Sequence, residues 1–272
     1  MAHEPSNGIL EDFRIEFLEC WNRLPNKGFF LVLLVAWLAI FQFLGNSALG
    51  YIRTPSLFRW MWTVYSSKTA DGVYEEAQGK LIPLVVLGLF WWKRKQLLAT
   101  NLRLWWPGLL LVGFGLLLHI VGFAVEQSRI SIIGLFAGIY GLMGLAWGPA
   151  WLRRSFFPFF LLGFCVPLTA ALQPVTFVLQ VLVTRLVTFI SNVFFGVGII
   201  RHGTELIEPG GQWRYGVAAP CSGIHSLIAT SAIALIYGLL TFRSWWRIGL
   251  MLISAVPLAV AGNVLRMMSI IF

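Results

Sequence analysis

The chain has 272 residues, of which 58% are hydrophobic and only 11% are charged, and these proportions exclude a soluble globular domain. The formal net charge is +9, but the basic residues stand in short clusters between apolar runs, a pattern that sets membrane topology and does not predict nucleic-acid binding. The 3 cysteines are widely spaced without a CxxC pattern, so neither a metal site nor a disulfide framework is predicted. The sequence predicts an all-α polytopic membrane protein.

The N-terminal segment, residues 1–27, contains several carboxylates and no apolar core, which argues against a cleavable secretory signal. We expect it to be cytoplasmic, followed by a transmembrane domain over residues 28–272. Apolar runs long enough to cross a bilayer, about 20 residues each, are a feature of this second part. They lie at residues 28–50, 105–125, 130–152, 217–240 and 248–272. A shorter run, 81–92, reaches spanning length if it starts near Glu76.

The basic clusters predict the orientation, because short cytoplasmic loops carry an excess of Lys and Arg. These clusters are Arg23 with Lys27, residues 93–103, Arg153 with Arg154, and Arg243 with Arg247. The loops 51–79, 126–129 and 201–216 would then lie outside. An odd number of crossings is needed between Arg154 and Arg201, and we expect one, at about residues 156–172.

The stretch that follows, residues 173–192, carries a polar stripe with three- or four-residue spacing, which places the polar side chains on one helical face. The stripe consists of Gln173, Thr176, Gln180, Thr184, Thr188 and Ser191. This pattern predicts an amphipathic helix in the outer interface or along a polar cavity. The alternative is a transmembrane helix whose small polar residues are buried against its neighbours.

A small extracytoplasmic β-hairpin is predicted next. Residues 205–208 and 212–215 alternate in polarity on either side of Pro209-Gly210-Gly211. The hairpin leads directly to the segment Ala218-Ala219-Pro220-Cys221-Ser222-Gly223-Ile224-His225-Ser226. It either caps the bundle or helps to hold a substrate.

Cys221 follows Pro220 at the start of an apolar helix, and a thiol in that position feels the positive end of the helix dipole. A nucleophile is therefore predicted. Ser222 and Gly223 allow backbone N–H groups to approach a reacting carbonyl, so the same turn could form an oxyanion hole. The alternative is an inert buried cysteine whose small neighbours serve helix packing.

The last two apolar runs predict a helical hairpin with its cytoplasmic turn near Arg243 and Ser244. Cys221 precedes that turn, and Arg266 follows it, by about 22 residues each, so a rise of 1.5 Å per residue places both at the same depth near the outer face. Asn263 adds a second polar group one turn from Arg266, and polar groups inside a membrane are functional candidates. The alternative is an Arg266 side chain that merely reaches water at the outer surface.

The segment around Cys221, followed about forty residues later by Pro257-Leu258-Ala259-Val260-Ala261-Gly262-Asn263-Val264-Leu265-Arg266, resembles the exosortase/archaeosortase family. The resemblance extends to residues 156–174 and to the hairpin, and more weakly to 71–94. It implies a cysteine transpeptidase in the inner membrane of a bacterium, with its active site facing outward and no cofactor. Cys221 would be the nucleophile and Arg266 the second triad member, with Ser222, Gly223, His225 and Asn263 at the oxyanion or substrate.

The implied partners are membrane lipid and exported proteins whose C-terminal sorting signal combines a Pro-Glu-Pro-type motif, a transmembrane helix and a basic tail. The family's third triad residue, usually a histidine, lies downstream of the arginine, whereas this sequence ends at Phe272. We therefore expect either a chain that lacks the family's C-terminal part or a divergent member. His225 is interpreted as a substrate or structural contact, His202 as a residue that could approach the thiol, and His119 as a hydrogen-bonded bundle residue.

Two other classes of function remain open at this point. A transporter or channel would explain the proline-broken apolar region and its polar stripe. A non-catalytic membrane scaffold would explain the missing histidine. The first predicts that function survives Cys221→Ala, and the second that it also survives Arg266→Ala.

Overall fold

The computed structural model describes residues 9–45, 54–68, 76–168, 171–210, 214–216, 224–242 and 244–272. The chain divides into two compact units. The first unit comprises Met1–Val64 and Gly79–Val166, and the second unit comprises Tyr65–Gln78 and Pro167–Phe272. Nearly all regular structure in the described ranges is helical, which confirms the predicted all-α class.

Eleven α-helices and one 3-10 helix follow one another along the described ranges. They are α1 (Ile9–Arg23), α2 (Lys27–Phe43), α3 (Leu57–Ser66), α4 (Gln78–Trp92), α5 (Arg94–Leu98), α6 (Gly108–Ala124), α7 (Ser128–Trp147), α8 (Pro149–Phe160), the 3-10 helix (Leu161–Cys165), α9 (Gln173–Phe194), α10 (Ile224–Thr241) and α11 (Trp245–Ile271). Three short strands, β1 (Ile200–His202), β2 (Glu205–Ile207) and β3 (Arg214–Gly216), stand between α9 and α10.

Three helices are long and apolar enough to cross a membrane by length and composition, namely Ser128–Trp147, Gln173–Phe194 and Trp246–Ile271. The apolar helices Gln78–Trp92, Gly108–Ala124 and Ser226–Gly238 are shorter. Helices α1 and α2 pass the same test together, but they are bent by 94° at their junction. Several membrane-compatible helices are thus present, in agreement with a polytopic protein.

Helices α6 and α7 of the first unit pack at backbone distance through glycines spaced by seven residues. A Cβ atom on Gly108 would lie 2.6 Å from the backbone nitrogen of Leu145, and one on Gly115 would lie 2.7 Å from the carbonyl oxygen of Gly134. Gly122 continues the same face of α6. Small residues let helix backbones approach in this way inside membranes, where no hydrophobic force separates helices from lipid tails.

Trp37 of α2 packs against the side of α7 that carries Leu135 and Gly138. Its indole Nε1 donates to the carbonyl oxygen of Leu135 at 3.0 Å, and a Cβ on Gly138 would overlap the ring, 1.9 Å from Cζ2. His119 of α6 is buried, with its Nε2 2.9 Å from the carbonyl oxygen of Leu44 and its ring 4.4 Å from that of Phe41. The interpretation of His119 as a hydrogen-bonded bundle residue is confirmed.

The single crossing expected at residues 156–172 is wrong. Helix α8 begins at Pro149 and ends at Phe160, the chain then tightens into the 3-10 helix, and no helix follows in the described residues until Gln173. Pro167 explains why no helix follows the 3-10 helix directly, because it lacks the N–H that a continuous helix would use, whereas Pro158 lies inside α8. Helix α9 is the helix between Arg154 and Arg201 that is long and apolar enough to span a membrane, by length and composition.

The polar stripe of α9 faces the inside of the second unit. Thr184 and Ser191 are fully buried and Thr176 is nearly so, whereas the apolar side chains of Phe177 and Val178 are about 60% exposed. The Thr184 hydroxyl bonds within its own helix, since its Oγ1 donates to the carbonyl oxygens of Gln180 and Val181, each at 3.0 Å, whereas the Ser191 hydroxyl lies 3.4 Å from the sulfur of Met268. This arrangement matches the alternative of a membrane helix with its polar residues turned inward, and not an interfacial helix with a wet face.

The predicted hairpin is present as β2 and β3, which pair antiparallel with Leu206 opposite Tyr215 and Ile207 opposite Arg214. The sequence did not predict β1, which adds to the other edge of β2 with Arg201 opposite Leu206. A three-stranded antiparallel sheet therefore connects α9 to the segment before α10.

Candidate functional site

Helices α10 and α11 pack together as the predicted hairpin. The first ends at Thr241 and the second begins at Trp245, so the turn falls at the predicted place. From these ends, Ile224 lies about 26 Å along α10 and Arg266 about 32 Å along α11 at 1.5 Å per residue. Arg266 is therefore about one helical turn beyond the level of Ile224, at the end of the hairpin opposite to its turn.

The last turns of α11 are fixed against α9 and the sheet. Val264 and Met267 are buried in one apolar cluster with Val187 of α9 and with Ile199 and Leu206 of the strand region. The Ser191 hydroxyl also lies 3.4 Å from the sulfur of Met268. This packing brings the C-terminal end of α9, the three strands and the Arg266 turn of α11 together at one end of the second unit.

Arg266 and Asn263 point in different directions from α11. Asn263 is buried at 5% exposure, whereas the Arg266 side chain is exposed. Within the described ranges, the Arg266 guanidinium has no hydrogen bond and no ion pair, and only its carbonyl oxygen accepts a bond, from the Ser269 hydroxyl at 2.7 Å. Its five N–H donors are thus available to an oxyanion or a carboxylate.

Cys221, Ser222 and Gly223 lie outside the described residues, and so does the side chain of His225, whose backbone is in the first turn of α10. The chain that holds Cys221 is nonetheless short on both sides. Cys221 stands five positions after Gly216, the end of β3, and three positions before Ile224, the start of α10. A fully extended chain covers at most about 3.6 Å per residue, so covalent geometry alone limits the distance between the Cα atoms of Cys221 and Ile224 to about 11 Å.

Two further histidines have side chains that the structure describes. His202 is exposed on β1, opposite Glu205. His119 belongs to the core of the first unit. In the part of the chain that the structure describes, no three His, Cys, Asp or Glu side chains come together in a way that could hold a metal ion.

Sequence reasoning missed one residue that is unusual in the second unit. Glu76, at 5% exposure, is the only charged side chain that is buried within the described ranges, and Gln78 Nε2 donates to its Oε2 at 2.9 Å. The segment that contains Glu76, Tyr65–Gln78, lies in the first half of the sequence but packs as part of the second unit. A carboxylate directly before an apolar run was the available signal, but it gave no reason to expect burial.

The two cysteines that the structure describes both belong to the first unit. Cys165, at the end of the 3-10 helix in the first unit, is 1% exposed, and its sulfur lies 3.8 Å from the carbonyl oxygen of Gly79. Cys20 of α1 is partly buried. Neither cysteine lies in the second unit, where Arg266 is.

Comparison with known families adds an independent observation. A family model described as transmembrane exosortase (Exosortase_EpsH) matches residues 73–272, which include every residue of the second half named above. No curated protein and no solved structure matches the chain.

Proposed function

The chain belongs to the transmembrane exosortase family, and from this premise we propose that it is a cysteine transpeptidase embedded in the membrane, with Cys221 as its nucleophile and Arg266 as its charge-stabilising partner. Membership of this family supports a general role in protein sorting at the membrane. The observation that supports the finer proposal is the exposed guanidinium of Arg266, which is free of partners among the described residues and lies about one helical turn beyond the level of Ile224, the third residue after Cys221.

The chemistry follows from these two groups. The Cys221 thiolate attacks the carbonyl carbon of the peptide bond after the sorting motif, and the carbonyl oxygen becomes an oxyanion. Arg266, with backbone N–H groups of Ser222 and Gly223, stabilises that charge. Collapse of the intermediate releases the amine of the signal's helix, which takes up a proton, and leaves a thioester on Cys221. Water, a lipid amine or a glycan-linked amine then receives the acyl group.

The other polar residues have supporting roles in this proposal. His225, in the first turn of α10, contacts the substrate, and Asn263 fixes the α11 turn from which Arg266 projects. Substrates are exported proteins with a Pro-Glu-Pro-type C-terminal signal. The site faces outward from the inner membrane of a bacterium, because α9 supplies the one crossing that the basic residues before and after it require.

The experiment is processing in cells of a reporter that bears such a signal. We expect Cys221→Ala to abolish cleavage and Cys20→Ala to leave it unchanged, since Cys20 belongs to the other unit of the chain. Trapping of a thioester-linked reporter on the wild-type chain, absent in Cys221→Ala, identifies the attacking sulfur. Equal processing with and without Cys221 would reject the catalytic proposal and favour a transporter or a scaffold.

A further inference from the structure

A sharp elbow turns α1 away from α2 at the N-terminal end of the first unit. The two helices meet at 94°, and Asn26 adopts a left-handed conformation with φ of 53° at the bend. The bend is fixed from α7, because Trp147 Nε1 donates to the carbonyl oxygen of Pro25 at 3.0 Å and Asn26 Nδ2 donates to that of Ala146 at 3.2 Å. If α2 crosses the membrane, α1 must lie along its surface.

The turn between α4 and α5 holds α1 in this position. Arg94 forms an ion pair with Glu16, donates to the carbonyl oxygen of Trp91 at 2.9 Å and stacks over the Trp91 ring at 4.2 Å. The ring of Phe13 lies 4.7 Å from that of Trp91. A combination of aromatic and cationic side chains is typical of the membrane–water interface, where lipid headgroups lie.

An apolar cavity of about 200 Å³ lies between α1 and the helices that support it. Cys20 and Leu24 line it from the α1 side, and Leu87, Phe90 and Trp151 from the other side. Arg94 is the only charged residue among those that line it. The walls suit hydrocarbon, because they offer almost no hydrogen-bonding groups to water or to a polar ligand.

A second cavity, of about 510 Å³, shares Cys20 and Leu98 with the first and has a lining of both polar and apolar groups. Its charged lining residues are Glu16, Glu19, Arg23 and Lys95, two of each sign. Lys95 is 82% exposed with its Nζ 3.9 Å from Glu16 Oε1. Glu19 and Arg23 make no ion pair within the described part of the chain, so one carboxylate and one guanidinium are available to a ligand.

We propose that the two cavities together bind one phospholipid of the cytoplasmic leaflet whose headgroup is zwitterionic and carries a primary ammonium group. An acyl chain occupies the apolar cavity. The phosphate contacts Arg23 and Lys95, and the ammonium contacts Glu19 and the free oxygen of Glu16. A purely anionic headgroup fits less well, because Glu19 would then face negative charge without a partner.

This binding site does not depend on the proposed function, since all of its residues belong to the first unit. The expected consequence is a single retained lipid that survives purification. Lipids that merely surround the helices would exchange freely and would show no headgroup preference.

The test is native mass spectrometry of the full-length protein, delipidated and then exchanged into equimolar phosphatidylethanolamine and phosphatidylglycerol. We expect one bound phosphatidylethanolamine at several-fold higher occupancy than phosphatidylglycerol. Cys20→Leu fills part of the apolar cavity, and we expect it to lower this occupancy at least about fivefold. Ile15→Leu is the matched control, because Ile15 is 50% exposed on α1 and lines neither cavity.

The charge argument is tested by Glu19→Lys, which should reverse the preference toward phosphatidylglycerol by about tenfold. An equal or greater affinity of the wild-type chain for phosphatidylglycerol would overturn the headgroup assignment. Unchanged occupancy in Cys20→Leu, in a protein with wild-type helicity by circular dichroism, would overturn the cavity as the acyl-chain site.

Discussion

Asn192 holds both backbone groups of Ile199. Its Nδ2 donates to the Ile199 carbonyl oxygen at 3.2 Å, and its Oδ1 accepts from the Ile199 N–H at 2.7 Å. One amide side chain near the end of α9 thereby replaces the strand partner that Ile199 would otherwise need. It closes the link between α9 and β1 and sets where the three-stranded sheet starts.

Asn192→Ala should therefore loosen the sheet. Removing one side chain leaves both the N–H and the carbonyl of the buried Ile199 without partners, which costs about 1–3 kcal/mol for such groups. We expect faster amide hydrogen exchange at residues 199–207 and slower reporter processing, because the sheet leads to Cys221. Val193→Ala is the control, since Val193 is 60% exposed next to Asn192 in the same helix. Protection unchanged in Asn192→Ala would show that the sheet is held by other contacts.

The two arginines of α11 allow a matched comparison. Arg247, in its first turn, is exposed over the ring of Phe242 at 6.0 Å, and Arg266 is exposed near its other end. We expect Arg266→Ala to lower kcat/KM for signal cleavage by about 10²–10³, as for the loss of one oxyanion donor, and Arg247→Ala to leave it unchanged. Arg266→Lys should recover only part of the loss, because an ammonium is a point charge without the planar fork. Equal rates for both alanine variants would remove Arg266 from the mechanism.

Gly138 should tolerate no side chain. Because a Cβ there would overlap Trp37, Gly138→Ala forces the indole out of its place and endangers its bond to Leu135, at a cost of about 1–3 kcal/mol for overpacking. Gly113 of α6 meets nothing within 4 Å, so Gly113→Ala should be neutral or slightly stabilising. Thermal unfolding in detergent measures both. A Gly138→Ala melting temperature at or above that of Gly113→Ala would contradict the observed contact between α2 and α7.

Depth measurements along α9 distinguish a crossing from an interfacial helix. Val175, Leu182 and Val193 are all exposed at successive positions along the helix. In a background without the native cysteines, nitroxide labels at these sites should show the greatest accessibility to oxygen at Leu182 and less at both ends, because oxygen concentrates at the bilayer centre. Equal oxygen accessibility at the three sites would indicate that α9 lies in the membrane interface and does not cross the membrane.

The sequence allowed the α10–α11 hairpin and the β2–β3 pair to be predicted because each depends on local patterns, a pair of long apolar runs around a basic turn and an alternation around Pro209-Gly210. It failed at residues 156–172 because hydropathy there is continuous, whereas the α-helix ends at Phe160 and Pro167 follows. The burial of the α9 stripe could not be predicted, because the sequence pattern of a polar helical face is the same whether that face contacts water or other helices. The elbow at Pro25 and Asn26 depends on α7, more than a hundred residues away.

The candidate site was predictable only as a set of residues and a common depth. Arg266 was placed by counting along two helices from the turn between them; the observed helix ends agree with the predicted turn, while Cys221 lies outside the described residues and its depth stays a prediction. Glu76 was missed because its burial results from the long-range packing of Tyr65–Gln78 into the second unit, which no local pattern reports.

The glycine contacts between α6 and α7 have a consequence for biosynthesis. Only three residues, Val125 to Gln127, connect these helices, so their contacts close short loops and lose little chain entropy. Pairs with such local contacts form fast, and α6 needs only α7 to complete its glycine face. The two helices are therefore expected to associate as soon as both have left the ribosome, and to form the contact surface for Trp37 beside Gly138 before Pro167–Phe272 of the second unit has been synthesised.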